Sequence, residues 1–247
     1  LALIVCTLAF DKLGLDKKGI FAISMPCFGT TEKTKTNAYK LAKSLGVSFD
    51  TIDITKSIEQ HFKDINHEND NYDTAFENAQ ARERTQVLMD IANMKNALVI
   101  GTSDLSEIAL GFSTYNGDHM SMYSVNCSVP KTLIKSIINY AAQSSDENLS
   151  KILHDIIDTP ISPELLPTNN ETSLQKTEEI IGPYELHDFF LYYTVRFGFS
   201  KKKIIRIALI AFDGIYDKNT ITKWFDVFIN RFYKSQFKRS CMPDGPK

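Results

Sequence analysis

The chain has 247 residues and a net charge of −2, from 28 basic and 30 acidic side chains. At roughly 100–200 residues per domain, this is enough for one large domain or two small ones. The balanced charge does not favour a nucleic-acid partner, and the apolar runs fall short of the ~20 residues that cross a membrane. The four cysteines lie far apart without Cys-x-x-Cys spacing. This argues against a zinc site or disulfides and predicts a cytoplasmic protein.

The N-terminal part alternates helical and strand patterns along the chain. Apolar residues at helical spacing predict helices over 1–13, 34–45, 57–65 and 74–94. Short apolar or alternating runs predict strands over 19–25, 47–54 and 97–101. After residue 102, a loop leads into helices predicted over 130–142, 149–158, 184–197, 201–211 and 222–237. The pattern indicates an α/β protein, with a parallel sheet covered by helices on both faces and a helical C-terminal part.

The middle of the predicted helix 74–94 is polar on almost every side. Asn78 and Arg82 are four residues apart and therefore share a face. This pattern fits a solvated stretch with internal ion pairs. It also fits a helix whose centre faces a cleft, where Arg82 is available to a phosphate or a carboxylate.

The predicted strand 97–101 runs through a short turn into a helix. Asp104 and Glu107 form a D-x-x-E pattern with Asp104 as the N-cap, which explains both carboxylates without a ligand. In open α/β sheets, however, ligands bind beyond the carboxyl ends of strands. Thr102 and Glu107 would then border that crevice, where a carboxylate could hold Mg²⁺ against nucleotide phosphates.

A polar and aromatic loop follows over 114–123, and its Asn116-Gly117 pair signals a turn. It is either a plain surface turn or a binding loop. In the next segment, Ser128 is the expected cap of a helix with Pro130 in its first turn. Lys131 at a helix N-terminus opposes the helix dipole, an objection that a bound phosphate would remove.

Several segments, in order, resemble the synthetase domain of glutamine-dependent NAD synthetases. They are ENAQARERT at 77–85, GTSDLSEIALG at 101–111, TYNGDHMS at 114–121, VNCSVPKTL at 125–133, ISPEL at 161–165, IIGPYELHDFF at 180–190 and QFKR at 236–239. The resemblance covers essentially the whole chain, and the ordered set is far more specific than any one segment.

The resemblance implies an adenine-nucleotide α-hydrolase-like, Rossmann-like fold, in agreement with the predicted α/β pattern. It also implies a ligase reaction in two steps. The nicotinate carboxylate of deamido-NAD attacks the α-phosphate of ATP and pyrophosphate leaves. Ammonia then converts the acyl-adenylate into NAD and AMP. Mg²⁺ is the implied cofactor, and a fused glutaminase domain would supply ammonia from glutamine.

Matched position by position, the resemblance also implies the site residues. ATP or phosphate contacts are expected from Thr102, Lys131 and Ser162. Glu107 is expected to bind the metal and to lie near deamido-NAD. Further deamido-NAD contacts are expected from Asn78, Arg82, Asp118 and Lys238. No catalytic residue is assigned.

Two parts of the family pattern are not found in the sequence. A Ser-Gly-Gly-x-Asp-Ser pyrophosphate loop would precede the first helix, and a nitrilase-like glutaminase domain would lie upstream of it. We therefore expect residues 1–247 to be one synthetase domain, incomplete at both ends and inactive by itself. The resemblance also implies a homo-oligomer.

Two other functions stay open. The chain could belong to another ATP-pyrophosphatase amidotransferase, such as a GMP synthetase, although Asn78, Arg82 and Lys238 argue against this. It could also be a non-catalytic nucleotide-binding or assembly module. The missing pyrophosphate loop is the only support for that reading.

Overall fold

Two pairs of short strands appear in a computed structural model that describes residues 1–159, 165–166 and 177–246. Strand β1 (Phe21–Ser24) pairs with β2 (Ser48–Thr51), and β3 (Ile100–Gly101) pairs with β4 (Tyr123–Ser124). Both pairs are parallel, and in each the first residues of the two strands lie opposite one another. This confirms the α/β class with parallel strands.

Helices account for most of the remaining described residues. In chain order they are α1 (Ala2–Leu13), α2 (Glu32–Leu45), α3 (Thr55–Asp64), α4 (Thr74–Lys95), α5 (Leu105–Leu110), α6 (Lys131–Gln143), α7 (Glu147–Ile157), α8 (Thr177–Ile181), α9 (Tyr184–Leu191), α10 (Lys201–Ala211), α11 (Lys218–Lys234) and α12 (Gln236–Arg239). Helix α9 continues as a π-helix over Tyr192–Arg196. The predicted helical C-terminal part is confirmed.

Side-chain caps fix where several helices begin. Asp73 accepts hydrogen bonds from the backbone N–H groups of Ala75 and Phe76 and so starts α4. Asp146 and Asp217 cap α7 and α11 in the same way. Because a cap satisfies N–H groups that have no partner within the helix, α11 begins at residue 218 rather than at the predicted 222.

The strands and one cap differ from the predictions. The predicted strand 97–101 shortens to Ile100–Gly101, because its partner β4 has only two residues. That partner was missed, since Tyr123–Ser124 is too short for an alternating pattern. Ser128 does not cap α6: the N-cap position is occupied by Pro130, and other helices supply the partners of the first N–H groups.

The largest hydrophobic core packs α5, α9, α10 and α11 together. Its fully buried side chains include Leu110, Leu186, Phe190, Ile204 and Phe228. Smaller clusters lie around α3 with α4 and around α6 with α7. The large core therefore anchors α5 and α9, which border the site described below. Among helices in the described ranges, none has the length and apolar composition needed to cross a bilayer.

Candidate active site

A cavity of about 760 Å³ opens where β3 ends. Its walls come from α4, the β3–α5 junction, the loop after α5, and helices α11 and α12. The volume falls within the ~300–1,000 Å³ typical of ligand sites. Five of the predicted site residues, from separate parts of the sequence, line it together: Asn78, Thr102, Glu107, Asp118 and Lys238.

The polar middle of α4 places one predicted contact at the cavity and one outside it. Asn78 lines the cavity, and its Oδ1 accepts a hydrogen bond of 2.8 Å from Thr114 Oγ1. Arg82, one turn further along, is exposed, and its Nε donates to the carbonyl of Tyr115 at 3.2 Å. It is not part of the lining. Part of the polar stretch therefore faces a cleft, as one of the two interpretations required.

The loop after α5 is held by its own hydrogen bonds. Asp118 Oδ1 accepts the N–H of Thr114 at 2.6 Å, and the buried His119 contacts the Thr114 carbonyl through Nδ1 at 2.8 Å. Asp118 is exposed where it lines the cavity. Desolvation by the surrounding protein raises the pKa of its carboxyl, and the hydrogen bond from the Thr114 N–H opposes this shift. An ordered loop that lines the cavity favours the binding-loop interpretation.

Lys238 of α12 approaches the same loop. Its Nζ donates to the carbonyls of Gly111 at 2.9 Å and Ser113 at 2.5 Å. Burial lowers the pKa of Lys238, and the charge of Asp118 opposes this shift. Gly111 permits the approach, since its φ is +61° and a Cβ there would lie 2.0 Å from Ser235 Oγ. The position therefore requires glycine.

An ion cluster lies where the N-termini of α5 and α6 meet. The predicted capping box is present: Asp104 Oδ1 accepts the Glu107 N–H at 2.9 Å, and Glu107 Oε2 accepts the Asp104 N–H at 3.3 Å. Lys131 Nζ lies 2.6 Å from both Asp104 Oδ2 and Glu107 Oε1. Asp104 is buried, whereas Glu107 lines the cavity. Glu107 therefore takes part in the capping box and lines the cavity at the same time.

The cluster changes the pKa of its members. Burial raises the pKa of Asp104, and the neighbouring Glu107 charge adds to the effect. Burial alone would lower the pKa of Lys131, but Glu107 and Asp104 outweigh it and raise this pKa. Lys131 therefore stays protonated at neutral pH. The two carboxylates also remove the objection to a lysine at this helix N-terminus without a bound phosphate.

The remaining predicted ATP contacts occupy different positions. Thr102 is exposed on the lining directly after β3, and its carbonyl accepts a hydrogen bond of 3.2 Å from Asn126 Nδ2. Lys131 is not part of the cavity lining, but its ammonium group forms an ion pair with Glu107, which is. Ser162 lies outside the described residues.

The cavity is also lined by side chains that were not predicted as site residues. Thr114 positions Asn78, as described above, and Glu77 and Arg231 also line the cavity. Tyr184 is buried on the lining, and its hydroxyl has no hydrogen-bond partner among the described residues. Burial raises the pKa of Tyr184, which keeps this hydroxyl protonated. Thr114, Glu77 and Tyr184 stand inside the matched segments, which were their only signal; Arg231 stands outside them.

The donors at the cavity fit a cation that arrives with phosphates rather than one held by protein alone. In the described part of the chain, no group of three or more His, Cys, Asp or Glu side chains could hold a metal ion. At the end of β3, the carboxylate on the lining is that of Glu107; Asp118 and Glu77 line other parts of the cavity. Mg²⁺ is usually bound through one or two carboxylates together with substrate phosphates. Glu107 fits that mode.

A parallel α/β fold with a ligand-sized cavity beyond a strand end is the arrangement in which open α/β proteins bind their ligands. Comparison with known sequences gives the family: the NAD synthase model matches residues 2–241. The chain belongs to the NAD synthase family.

Individual relatives agree with this assignment. A glutamine-dependent NAD(+) synthetase of Mycobacterium bovis is 42% identical over 270 residues, covering 100% of this chain and 40% of the relative. An NH(3)-dependent NAD(+) synthetase of Fusobacterium nucleatum is 36% identical over 115 residues, covering 47% of this chain and 43% of the relative. The chain thus spans 40% of the length of the curated glutamine-dependent relative.

A solved structure supports the fold independently. The crystal structure of a glutamine-dependent NAD(+) synthetase from Cytophaga hutchinsonii matches with a TM-score of 0.69 and 22% identity, covering 90% of this chain and 35% of that chain. The predicted fold class is confirmed.

Proposed function

We propose that residues 1–247 are the synthetase domain of a ligase that makes NAD from deamido-NAD, ATP and ammonia. One observation carries the proposal: a single cavity brings together residues expected to contact two different nucleotides. Thr102 and Glu107 lie at the junction of β3 and α5. Asn78 lies on α4, Asp118 on the loop after α5, and Lys238 on α12. A reaction between two nucleotides needs both in one enclosed space.

The chemistry divides between these groups. A carboxylate oxygen of the nicotinate attacks the α-phosphorus of ATP, and the bond to pyrophosphate breaks. Ammonia then attacks the acyl carbon, and AMP leaves with the electron pair of the broken C–O bond. Lys131 supplies a fixed positive charge beside the cavity, and Thr102 and Ser162 are proposed to contact ATP. Glu107 would hold Mg²⁺, which offsets the phosphate charge.

The deamido-NAD groups would act by binding and orientation. Asn78 is fixed by Thr114, so its amide is presented in one orientation. Asp118 and Lys238 carry opposite charges on the same part of the lining. Asp118 is suited to orienting a polar group, because a carboxylate would repel the nicotinate carboxylate. Arg82 remains a proposed contact at the outer end of the bound nucleotide.

The parent protein is proposed to draw its ammonia from glutamine. The glutamine-dependent relative from Mycobacterium bovis is 42% identical over the whole chain, whereas the ammonia-dependent relative from Fusobacterium nucleatum is 36% identical over 47% of it. A fused glutaminase domain would lie in the part of the relative that this chain does not span. We also propose a cytoplasmic homo-oligomer; the four free cysteines fit a reducing compartment.

The test uses the complete protein that contains this chain. It is incubated with deamido-NAD and Mg-ATP, with either glutamine or ammonia, and NAD and AMP are quantified by chromatography. Equal amounts of NAD and AMP from both nitrogen donors are expected. Product from ammonia alone would remove the glutaminase from the proposal. AMP without NAD, or AMP formation that depends on xanthosine monophosphate instead of deamido-NAD, would refute the proposed reaction.

A further inference from the structure

One carboxylate outside the cavity lining bridges the two helices that carry the ion cluster. Asp188 of α9 accepts a hydrogen bond from Ser106 Oγ through Oδ1. Through Oδ2 it accepts the backbone N–H of Thr132 at 3.0 Å and the Thr132 hydroxyl at 2.7 Å. Asp188 thus contacts α5 and α6 at the same time, from a third helix.

These hydrogen bonds replace the cap that α6 lacks. Its N-cap residue, Pro130, makes no side-chain capping bond. The N–H of Lys131 instead donates to Ser106 Oγ at 2.8 Å, and the N–H of Thr132 donates to Asp188. Two of the N–H groups that have no partner within a helix are therefore satisfied from α5 and α9.

The contacted residues are sequence neighbours of the two charged site residues. Ser106 directly precedes Glu107, and Thr132 directly follows Lys131. Asp188 itself is held on α9, whose side chains on either side of it, such as Leu186 and Phe190, are fully buried in the large core. The Asp188 carboxylate therefore holds the N-termini of α5 and α6 in place relative to each other.

We propose that Asp188 is a positioning residue that sets the Glu107–Lys131 pair for the phosphates of ATP; this rests on the proposed function. Asp188 does not line the cavity, so it acts through Ser106 and Thr132. Charge stabilisation of a phosphate depends on where the cation lies, and a displacement of ~1 Å can lower a rate by ~100-fold. Loss of the bridge frees Lys131 to move with the end of α6.

Asp188→Ala in the complete protein removes the bridge, and Asp188→Asn is the conservative variant. An amide oxygen can still accept from Thr132, while the amide N–H₂ donates to Ser106 Oγ, which can act as acceptor. Asp146→Ala is the matched control, because Asp146 caps α7 with two backbone hydrogen bonds at the opposite end of α6. Both alanine variants are expected to lower Tm by a few degrees, as loss of a helix cap does.

The kinetic readout separates positioning from stability. We expect Asp188→Ala to raise KM for ATP about tenfold or more, with KM for deamido-NAD changed less than about twofold. Asp188→Asn should recover most of the loss, and Asp146→Ala should match the wild type. Equal KM for ATP in Asp188→Ala and Asp146→Ala would overturn the proposal. So would an Asp188→Asn variant as impaired as Asp188→Ala, since charge rather than the bridge would then matter.

Hydrogen exchange gives a readout that does not need activity. The peptide 128–136 contains the bridged amides, and its protection should fall in Asp188→Ala but not in Asp146→Ala. If Asp188→Ala does not fold, Ser106→Ala cuts the same bridge more mildly and should expose the same peptide. Unchanged protection in both variants would refute the bridge. A wild-type protein that makes no NAD but keeps this protection pattern would refute the proposed function alone.

Discussion

The ammonium group of Lys131 lies 2.6 Å from the carboxylate of Glu107 and joins the first turns of α5 and α6. This ion pair is mostly shielded from water, with side-chain exposures of 16% and 25%. A phosphate entering the cavity would compete with Glu107 for Lys131, and a metal ion would compete with Lys131 for Glu107. Lys131 can therefore exchange Glu107 for a phosphate, and Glu107 can exchange Lys131 for a metal ion.

Removing the lysine tests this cluster. Lys131→Ala leaves Asp104 and Glu107 without their cation, and we expect the free energy of unfolding to fall by roughly 3 kcal/mol. KM for ATP should rise about tenfold or more, as a charge-assisted hydrogen bond is lost. Urea unfolding and steady-state kinetics of the complete protein measure both. Lys135→Ala, an exposed lysine on the same helix, is the control. Similar behaviour of the two variants would contradict this account of Lys131.

The hydrogen bond between Thr114 and Asn78 should affect one substrate only. Thr114→Val keeps the shape of the side chain but leaves Asn78 Oδ1 without its donor. Since such a bond contributes about 1 kcal/mol, KM for deamido-NAD should rise about fivefold while KM for ATP stays unchanged. Thr36→Val, on the exposed face of α2, is the matched control. An equal rise in both KM values would argue against a selective deamido-NAD role for Asn78.

The close approach of α12 to Gly111 predicts an unusually costly substitution. Gly111→Ala combines a left-handed backbone with a clash against Ser235, whereas Gly214→Ala has the same strain, φ +73°, and no atom within 4 Å. We expect about 1 kcal/mol of destabilisation at Gly214 and about 1–3 kcal/mol more at Gly111. Thermal unfolding of the two variants compares them directly. Equal losses would mean that α12 moves away freely, and Lys238 with it.

Buried His187 predicts a loss of stability in mild acid. Its Nε2 contacts the Ile181 carbonyl at 2.6 Å, and its buried Nδ1 has no partner among the described residues, so a second proton would find no acceptor there. Burial accordingly lowers the pKa of His187 in the folded state. Below the unfolded pKa of about 6.5, the unfolded chain takes up a proton that the folded chain does not. The contribution of His187 to the free energy of unfolding is therefore present above the unfolded pKa and is lost as the pH falls below it.

Measuring unfolding free energy at pH 7.5 and 5.5 checks the sign. His187 contributes up to about 1.4 kcal/mol to the difference between these two pH values. His187→Gln should remove that part of the difference, even though it also lowers stability at both pH values. His154→Gln, at an exposed histidine on α7, should leave the pH dependence unchanged. A wild-type pH dependence in His187→Gln would show that other groups cause it.

Local sequence signals predicted the helices better than the strands. Helix α10 has the predicted bounds, because a run of apolar residues at helical spacing defines it within one segment. Strand β4 was missed because its two residues are specified by their contact with β3 and not by a pattern of their own. The capping box at Asp104 was predicted because it is also local in sequence: its partner Glu107 is three residues away.

Long-range contacts at the site were beyond local patterns. The matched segments supplied Asn78, Asp118 and Lys238, and these do meet at one cavity. Asp188 contacts residues 56 and 82 positions away, so no spacing rule could assign its role. The sequence pattern showed that a bound phosphate would make Lys131 acceptable at the helix N-terminus, but it did not show that Asp104 and Glu107 already compensate the lysine charge.

Pyrophosphate–ATP exchange measures the first chemical step directly. The complete protein is supplied with Mg-ATP and labelled pyrophosphate, with or without deamido-NAD, in the absence of glutamine and ammonia. Label should enter ATP only when deamido-NAD is present. Glu107→Gln, which keeps an oxygen for the capping box but loses the charge, should abolish the exchange, while the exposed Glu147→Gln should not. Exchange without deamido-NAD, or normal exchange in Glu107→Gln, would contradict a cavity in which Glu107 helps to join the two nucleotides.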